Sequence, residues 1–138
     1  MRLEGRIWKD GRFWLVEVPL LDVMTQGHSR KQALHMIADA IHELVARKGF
    51  SVEVADCGKS VIEVGSADTG ALTALLLRRQ RAAHGLTLEQ VARRLGQSSR
   101  NAYARYEQGL AVPTIAKLTQ LLRAIDPEDE LVLKRSAA

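Results

Sequence analysis

Three glycines, Gly85, Gly96 and Gly109, divide the second half of this 138-residue sequence into short segments that favour helix. Glycine ends helices readily because it adopts the left-handed backbone conformation without a steric cost. Each break is followed by residues that start helices well. These starts are Thr87, then Ser98 or Ser99, then Pro113 with Thr114. The pattern predicts four short helices, the last with a buried stripe of Ile115, Leu118, Leu121, Leu122 and Ile125.

The spacing of small residues in the second and third predicted helices is typical of a helix-turn-helix. Ala92 is small enough to lie where two helices cross, and Gly96, four residues later, tolerates the positive φ of a tight turn. The segment "GQSSRNAYARYEQG", residues 96–109, then falls on the second helix of the motif. In proteins with this geometry, that helix enters the major groove of DNA.

Charge is distributed unevenly along the chain. Residues 1–65 contain nine basic and nine acidic residues, whereas residues 71–125 contain nine Lys and Arg against only Glu89 and Glu107. A basic helical stretch favours a polyanionic partner, although charge alone is equally compatible with a solvated surface. The sequence turns acidic again at Asp126, Glu128, Asp129 and Glu130.

The first half predicts a small antiparallel sheet with one covering helix, so the chain as a whole is of the α+β class. Strand-like runs at residues 2–8 and 12–18 flank Asp10-Gly11, which is a strong hairpin signal. Further strands are expected near residues 23–26, 50–56 and 60–64. Between them, Ser29 and Gln32 have the spacing of a capping box, helically spaced apolar residues follow, and Gly49 is expected to end the helix.

These patterns divide the chain into three parts. Residues 1–65 form the α+β module, residues 66–125 the C-terminal helical bundle, and residues 126–138 an acidic tail. The stretch "VGSADTG", residues 64–70, is small and polar and marks a linker or helix start. The tail segment "PEDELVL" predicts either a short helix or a strand, and its leucines and valine would suit a dimer contact.

Several functional classes have little support in the sequence. There is no glycine-rich phosphate loop, nucleophile elbow or paired-carboxylate motif, so we expect no enzyme activity and no cofactor. His35, Asp39 and His42 could share one face of a helix, but polar residues are expected there, and no Cys or Glu completes a zinc set. We expect a cytoplasmic protein, because the lone Cys57 suits a reducing compartment and no signal peptide or membrane span is evident.

The second half resembles the phage-repressor type of helix-turn-helix domain, on Leu86-Thr87, Ala92, Gly96, "RYEQG" and Pro113. The longer string "GQSSRNAYARYEQGLAVPTIAKL", with "VEVPLLDVMTQGHSRKQAL" upstream, resembles the HicB family of antitoxins. This resemblance implies an N-terminal module with a partial ribonuclease-H-like fold that neutralises HicA, a small mRNA-cleaving toxin. It also implies a C-terminal helix-turn-helix domain that binds operator DNA and represses the toxin–antitoxin genes.

Two features depart from the repressor pattern. Leu88 stands where repressors usually have a glutamine that contacts a phosphate. The interval from Gly96 to Gly109 is one residue longer than usual. Placing the extra residue in the turn around Gln97 and Ser98 leaves open which residue first meets a base.

The DNA-contacting residues follow from the resemblance and the helical positions. Arg100, Asn101 and Arg105 are predicted to face outward, because arginine pairs with guanine and asparagine with adenine through two hydrogen bonds. A phosphate contact for Arg105 is an equal alternative. Hydroxyl groups near helix N-termini suit phosphate, and Tyr103 is predicted to pack inward with its hydroxyl reaching one. The full predicted set is Thr87, Ser98, Ser99, Arg100, Asn101, Tyr103 and Arg105.

The resemblance also implies contacts that do not involve DNA. In the resembling repressors a glutamate of the second helix-turn-helix helix pairs with an arginine of the first helix, which implies a structural ion pair between Arg81 and Glu107. The predicted toxin contacts are Trp8, Trp14 and Asp22, although each tryptophan could equally pack in the core.

The predicted partners are operator double-stranded DNA, the small toxin and further copies of the chain. One helix-turn-helix domain offers too little contact for tight specific binding, so a homodimer or higher homo-oligomer is expected. Two alternatives stay open. One is a repressor whose N-terminal half senses a small ligand without a toxin partner. The other is a nuclease that holds metal ions on Glu4, Asp10, Glu17 and Asp22.

Overall fold

The computed structural model describes residues 1–136 and contains two compact units. The first unit is Met1–Leu72 together with Ser136, and the second is Thr73–Arg135. Among the helices of this described part, none is both long enough and apolar enough to cross a membrane.

The first unit contains five strands: β1 (Arg2–Asp10), β2 (Phe13–Val18), β3 (Val23–Gly27), β4 (Glu53–Asp56) and β5 (Val61–Gly65). Every neighbouring pair of strands is antiparallel, and the order across the sheet is β3-β2-β1-β5-β4. The helix α1 (Arg30–Val45) links the two edge strands and contacts β2, β3 and β4. The predicted α+β class, with a small antiparallel sheet and one covering helix, is confirmed.

Alternation along the strands separates the two faces of the sheet. Leu3 and Ile7 of β1 are buried, whereas Arg2 and Arg6 are exposed. Ile7 lies opposite Val16 of β2, and both are fully buried. Because residues opposite each other in an antiparallel pair share a face, this register puts the core on one side of the sheet.

The helix α1 begins where the sequence predicts and ends earlier. The Oγ of Ser29 accepts a hydrogen bond from the backbone N–H of Gln32 at 3.0 Å, but the Gln32 side chain accepts from His28 instead of Ser29. A Cβ at Gly27 would lie 2.6 Å from the backbone nitrogen of Ala33, so only glycine fits where β3 meets α1. The helix ends at Val45, because Ala46 adopts the left-handed conformation with φ of 50°. The prediction that Gly49 ends it is wrong.

The second unit is helical. The helix α2 (Thr69–Ala83) begins in the first unit and runs into the second, followed by α3 (Leu88–Arg94), α4 (Arg100–Glu107) and α5 (Ile115–Ile125). Gly85, Gly96 and Gly109 all have positive φ, so the predicted glycine breaks between the helices are confirmed.

The buried stripe of α5 is shorter than predicted. Leu118, Leu121, Leu122 and Ile125 are buried, but Ile115 is 80% exposed. Ile115 is the first residue of α5, and burial begins one turn later. Its assignment to the core is therefore wrong.

The segment after α5 contains no helix or strand among its described residues, which end at Ser136. The prediction of a short helix or strand in "PEDELVL" is wrong. Leu131, Val132 and Leu133 are exposed. The dimer contact expected of this segment stays a prediction.

Candidate nucleic-acid interface

The helices α3 and α4 pack together through a turn formed by residues 95–99. Gly96 has φ of +75°, and the backbone N–H of Gln97 donates to the carbonyl of Ala92 at 2.9 Å. Ala92 is only 2% exposed, as expected for a small residue at a helix crossing. The Oε1 of Gln97 is buried without a hydrogen-bond partner among the described residues, which identifies this longer turn as the least satisfied part of the motif.

The helix α4 has one buried and one exposed side. Tyr103, Ala104 and Glu107 are buried, whereas the long polar side chains point to solvent. Asn101 and Arg105 are one turn apart on the exposed side, and i,i+4 neighbours lie on the same helix face. The exposed residues of this helix and its C-cap are Arg100, Asn101, Ala102, Arg105 and Gln108.

Gln108 extends this row and was missed by the sequence reasoning. It lies three residues after Arg105 at the C-cap of α4, and its side chain is exposed. The i,i+3 spacing from Arg105 would have placed it there. Its amide can both donate and accept, so it adds a group able to contact a base edge or a phosphate.

The three predicted hydroxyl residues lie at the starts of α3 and α4. The Oγ of Ser99 accepts from the N–H of Asn101 at 3.2 Å, and Ser98 is exposed in the preceding turn. The Oγ1 of Thr87 accepts from the N–H of Gln90, and the Gln90 side chain in turn accepts from the N–H of Thr87. This capping box occupies the backbone N–H of Thr87, so only its hydroxyl hydrogen remains for a phosphate.

Tyr103 does not reach the DNA-facing surface. Its side chain is fully buried, and its hydroxyl donates to Oε1 of Glu107 at 2.7 Å. Burial, together with the negative charge of Glu107, raises the pKa of the tyrosine hydroxyl. The prediction that Tyr103 contacts a phosphate is therefore wrong, because the acceptor that its hydroxyl needs lies inside the bundle.

Arg81 and Glu107 join three segments of the second unit. The guanidinium donates from Nε to Oε1 at 2.6 Å and from Nη2 to Oε2 at 3.0 Å. Its Nη1 donates to the carbonyl of Leu86, in the loop before α3, at 2.9 Å. Hydrogen bonding to Glu107 raises the pKa of Arg81. With Tyr103, this cluster ties α2, the loop and α4 together and sets the orientation of α4.

Arg100 forms an exposed ion pair with Glu89 of α3, with Nη1 and Oε1 3.0 Å apart. A hydrogen bond from its own backbone N–H, with help from Arg100, lowers the pKa of Glu89. Arg105 is exposed, and no carboxylate among the described residues lies within ion-pair distance of it. The two arginines of α4 therefore differ, since only Arg100 must leave a partner before it can contact DNA.

His84, which follows α2, joins that helix to the end of α5. Its Nδ1 lies 2.8 Å from the carbonyl oxygen of Gln80, and its Nε2 lies 3.0 Å from Oδ2 of Asp126. A neutral imidazole has one N–H, so only the protonated ring can donate to both oxygens. The hydrogen bond to the Gln80 carbonyl, followed by that to Asp126, raises the pKa of His84.

Stability should therefore depend on His84 near neutral pH. Because its folded-state pKa is raised, its contribution is complete below the unfolded value of about 6.5 and is lost as pH rises through the folded value. We expect His84→Asn to reduce the difference in Tm between pH 6 and pH 8 by roughly 1–3 °C, as fits an exposed pair. Thermal unfolding followed by circular dichroism measures it. His35→Asn, in the exposed part of α1, is the matched control, and an equal effect in both variants would refute the assignment.

The predicted toxin-contacting residues do not share one surface. Trp8 pairs with Leu15, whereas Trp14 pairs with Lys9, the neighbour of Trp8 on β1. Successive residues of a strand point to opposite faces, so the two tryptophans lie on opposite sides of the sheet. Asp22 is exposed in a left-handed conformation with φ of 49°, directly before β3.

Trp14 is part of a cluster that sequence reasoning missed. The guanidinium of Arg30 lies 5.5 Å from the Trp14 ring centroid and pairs with both oxygens of Asp56 at 2.7 Å. Hydrogen bonds from Arg30 and from the N–H of Gly58 lower the pKa of Asp56 to about 2. Arg30 and Asp56 are 26 residues apart, so no local pattern identifies the pair.

The acidic and histidine residues considered for metal binding are dispersed. His35, Asp39 and His42 are exposed on α1. Throughout residues 1–136, no group of three or more His, Cys, Asp or Glu side chains is placed to hold a metal ion.

Residues 77–131 match a family model described as Helix-turn-helix. This stretch includes the last residues of α2, all of α3 to α5, and both Arg81 and Glu107. No curated protein matches the chain.

Proposed function

We propose that this chain, a DNA-binding transcriptional regulator by virtue of its helix-turn-helix domain at residues 77–131, is an antitoxin of the HicB type. In this proposal the second unit binds operator DNA and represses the operon. The first unit binds and neutralises a small mRNA-cleaving toxin of the HicA type.

The proposal that the second unit binds DNA rests on the exposed side of α4. Arg100, Asn101 and Arg105 are exposed on the second helix of the motif, while Tyr103 and Glu107 fix its other side within the bundle. A recognition helix needs this combination, because a side chain reads a base edge only when the backbone beneath it is held in place. Paired hydrogen bonds from Arg to guanine and from Asn to adenine each contribute about 1–3 kcal/mol of discrimination.

Charge supports the same assignment. The excess of basic residues lies in the stretch that forms α2 to α5, with only Glu89 and Glu107 as acidic residues there. Glu107 is buried in its ion pair, so Glu89 is the one carboxylate of that stretch exposed beside α4. DNA approaching α4 would meet arginines, hydroxyl groups and this one carboxylate.

Glu89 should therefore weaken DNA binding. We expect Glu89→Gln to increase affinity roughly 2- to 10-fold at low salt, because it frees Arg100 and removes a charge that repels phosphate. Fluorescence anisotropy with a labelled duplex measures the change. Glu43→Gln, an exposed position on α1, changes the net charge equally and should leave affinity unaltered. Equal affinities for the Glu89→Gln and wild-type chains would show that the ion pair does not oppose binding.

The proposal for the first unit has separate support. The unit has its own sheet, its own core and a helix on one face. It can therefore present a protein-binding surface made only of its own residues. Trp8 is half-buried opposite Leu15 on the face away from the fully buried Ile7 and Val16. An incompletely buried tryptophan next to an aliphatic residue is the kind of anchor that protein interfaces use. We also propose that this unit has the partial ribonuclease-H-like fold that the resemblance to the HicB family implies.

Expression beside the neighbouring gene tests the two functions together. We expect the wild-type chain to suppress the toxicity of its neighbour and to repress a reporter driven by the operon promoter. Arg100→Ala should abolish repression and leave the suppression of toxicity intact, because Arg100 lies in the second unit. Loss of both activities would refute the division of roles, and a neighbour that is harmless alone would refute the antitoxin half.

A further inference from the structure

Three connections of the first unit meet at one end of its sheet. Because every neighbouring pair of strands is antiparallel, this end holds the turn between β1 and β2, the passage from β3 into α1 and the turn between β4 and β5. Arg30 begins α1 and Asp56 ends β4, and their ion pair of 2.7 Å joins two of the connections. We call residues 9–12, 28–31 and 56–60 the basic end of the sheet.

Charge is unevenly distributed within this unit. The basic end contains five Lys and Arg residues and two acidic residues, one of which is held in the ion pair just described. Three basic and five acidic residues lie at the opposite end of the sheet, within residues 2–4, 19–22, 43–53 and 65–68. The unit is neutral as a whole, so only its basic end presents a field that attracts a polyanion.

Three lysines of the basic end are exposed, and none of them is in an ion pair within residues 1–136. Lys9 lies opposite Trp14 in the hairpin, and Lys31 is in the first turn of α1. The N–H of Ile7 donates to the carbonyl of Ser60 at 3.0 Å, which places the turn containing Lys59 beside β1. These lysines can contact phosphate groups without first leaving a partner.

Aromatic side chains gather at the same end. Trp8, Phe13 and Trp14 are three of the chain's six Phe, Tyr and Trp residues, and all three are half-buried and outside the core. Trp8 lies opposite Leu15, two residues from Phe13, so Trp8 and Phe13 are diagonal neighbours on one face of the hairpin. The centroids of the Phe13 and His28 rings are 5.2 Å apart. The three rings form a row on which planar groups can stack.

We infer that the basic end of the sheet binds single-stranded nucleic acid, a function separate from operator binding by the second unit. Each nucleotide carries a phosphate and a planar base, and these match exposed cations and neighbouring rings. A duplex lacks free base faces, because its bases are already stacked in pairs. Substitutions at the basic end are accordingly expected to leave duplex binding unchanged. An acidic protein segment would pair with the lysines but has no bases to stack on the rings.

Tryptophan fluorescence reports on this site. Trp8 and Trp14 are the two tryptophans of the chain, and both belong to the first unit. A base that stacks on the row of rings is expected to quench this fluorescence. The probes are a single-stranded RNA of about 12 nucleotides and a single-stranded DNA of the same sequence. The comparison ligands are the matching DNA duplex, an abasic strand that keeps the phosphates without the bases, and polyglutamate.

Two triple variants with equal changes in charge test the site at little risk to folding, because all six side chains are exposed. The basic-end variant combines Lys9→Gln, Lys31→Gln and Lys59→Gln. The matched control at the opposite end combines Arg2→Gln, Arg47→Gln and Lys48→Gln. A separate variant, Phe13→Leu, removes one ring and keeps an apolar side chain.

We expect both single strands to quench the fluorescence of the wild type and of the matched control with the same affinity. The basic-end variant should bind roughly 10- to 100-fold more weakly at about 0.1 M salt, with the slope of log affinity against log salt reduced by about two. Phe13→Leu should keep the slope and weaken binding roughly 5- to 100-fold, because a stacking ring is lost. The abasic strand and the duplex should quench far less.

Several results would overturn the inference. The first is no quenching of the wild type by either single strand, and the second is equal affinity of the wild type and the basic-end variant. Equal binding of the abasic strand would show a site for phosphates without bases. Quenching by polyglutamate, with an affinity equal to that of the single strands, would assign the site to an acidic protein segment. All of these measurements use the chain alone, so they do not depend on the toxin or the operator.

Discussion

Replacing Arg81 by methionine is expected to lower the free energy of unfolding by about 3 kcal/mol. Methionine keeps an aliphatic side chain in place but removes every hydrogen bond of the guanidinium. Among the described residues, Glu107, only 6% exposed, would then keep only the Tyr103 hydroxyl as a hydrogen-bond partner, and the carbonyl of Leu86 would lose its donor. An uncompensated charge in a buried position is among the most destabilising results of a single substitution.

Urea unfolding followed by far-ultraviolet circular dichroism measures this effect. Arg123→Met is the matched control, because Arg123 is exposed and lies 4.0 Å from Glu130; it should cost less than about 0.5 kcal/mol. Tyr103→Phe should fall between the two, at about 1.5–3 kcal/mol, since it removes one hydrogen bond to a carboxylate. If Arg81→Met and Arg123→Met unfold at the same urea concentration, the cluster does not hold the unit together.

Raising the salt concentration from 50 to 200 mM is expected to weaken operator binding on the order of 10³-fold or more. Each phosphate contacted by Lys or Arg releases condensed counterions, and added salt opposes that release. We expect this salt dependence because residues 71–125 are rich in Lys and Arg. It should not depend on the DNA sequence, since phosphate contacts do not distinguish one base from another.

The slope of log affinity against log salt concentration separates the contributing residues. If Arg105 contacts a phosphate, Arg105→Ala should reduce the slope by about one, whereas a base contact would lower affinity for the operator and leave the slope nearly unchanged. Arg12→Ala removes an exposed arginine from the turn between β1 and β2 and should leave the slope unaltered. An affinity indifferent to salt would contradict the account of the basic bundle.

Local signals predicted the starts of the helices correctly. Thr87, Ser99 and Thr114 all cap helices through hydrogen bonds that span two or three residues, so the information lies within one turn of sequence. The end of α1 could not be read in this way. Ala46 adopts the left-handed conformation without being glycine, so Gly49 offered a misleading stop signal.

The errors at the candidate site come from contacts and not from element boundaries. Helical spacing placed Tyr103 inward correctly, but the destination of its hydroxyl depends on Glu107, one turn later on the same helix. Because the two residues are four apart, this hydrogen bond could have been predicted from the sequence. For Ile115, the helical spacing itself gave the wrong prediction. Its position fits the buried stripe of α5, but the first turn of that helix lies outside the core.

The arrangement of the tryptophans could have been predicted, whereas the Arg30–Asp56 pair could not. A two-residue turn at Gly11 and Arg12 fixes the register of the hairpin, and that register puts Trp8 and Trp14 on opposite faces. Arg30 meets Asp56 only because α1 carries the chain across the sheet from β3 to β4. Such a contact depends on topology.

The central claim is that the exposed side of α4 reads DNA sequence. The most direct test is the ratio of affinities for the operator duplex and a scrambled duplex of equal length, at fixed salt, for the wild type, for Arg100→Ala combined with Asn101→Ala, and for Arg12→Ala. We expect the double variant to lose roughly 10²- to 10³-fold of this ratio, chiefly through weaker operator binding, and Arg12→Ala to keep it. An unchanged ratio in the double variant would contradict the account, because sequence would then be read by some other surface.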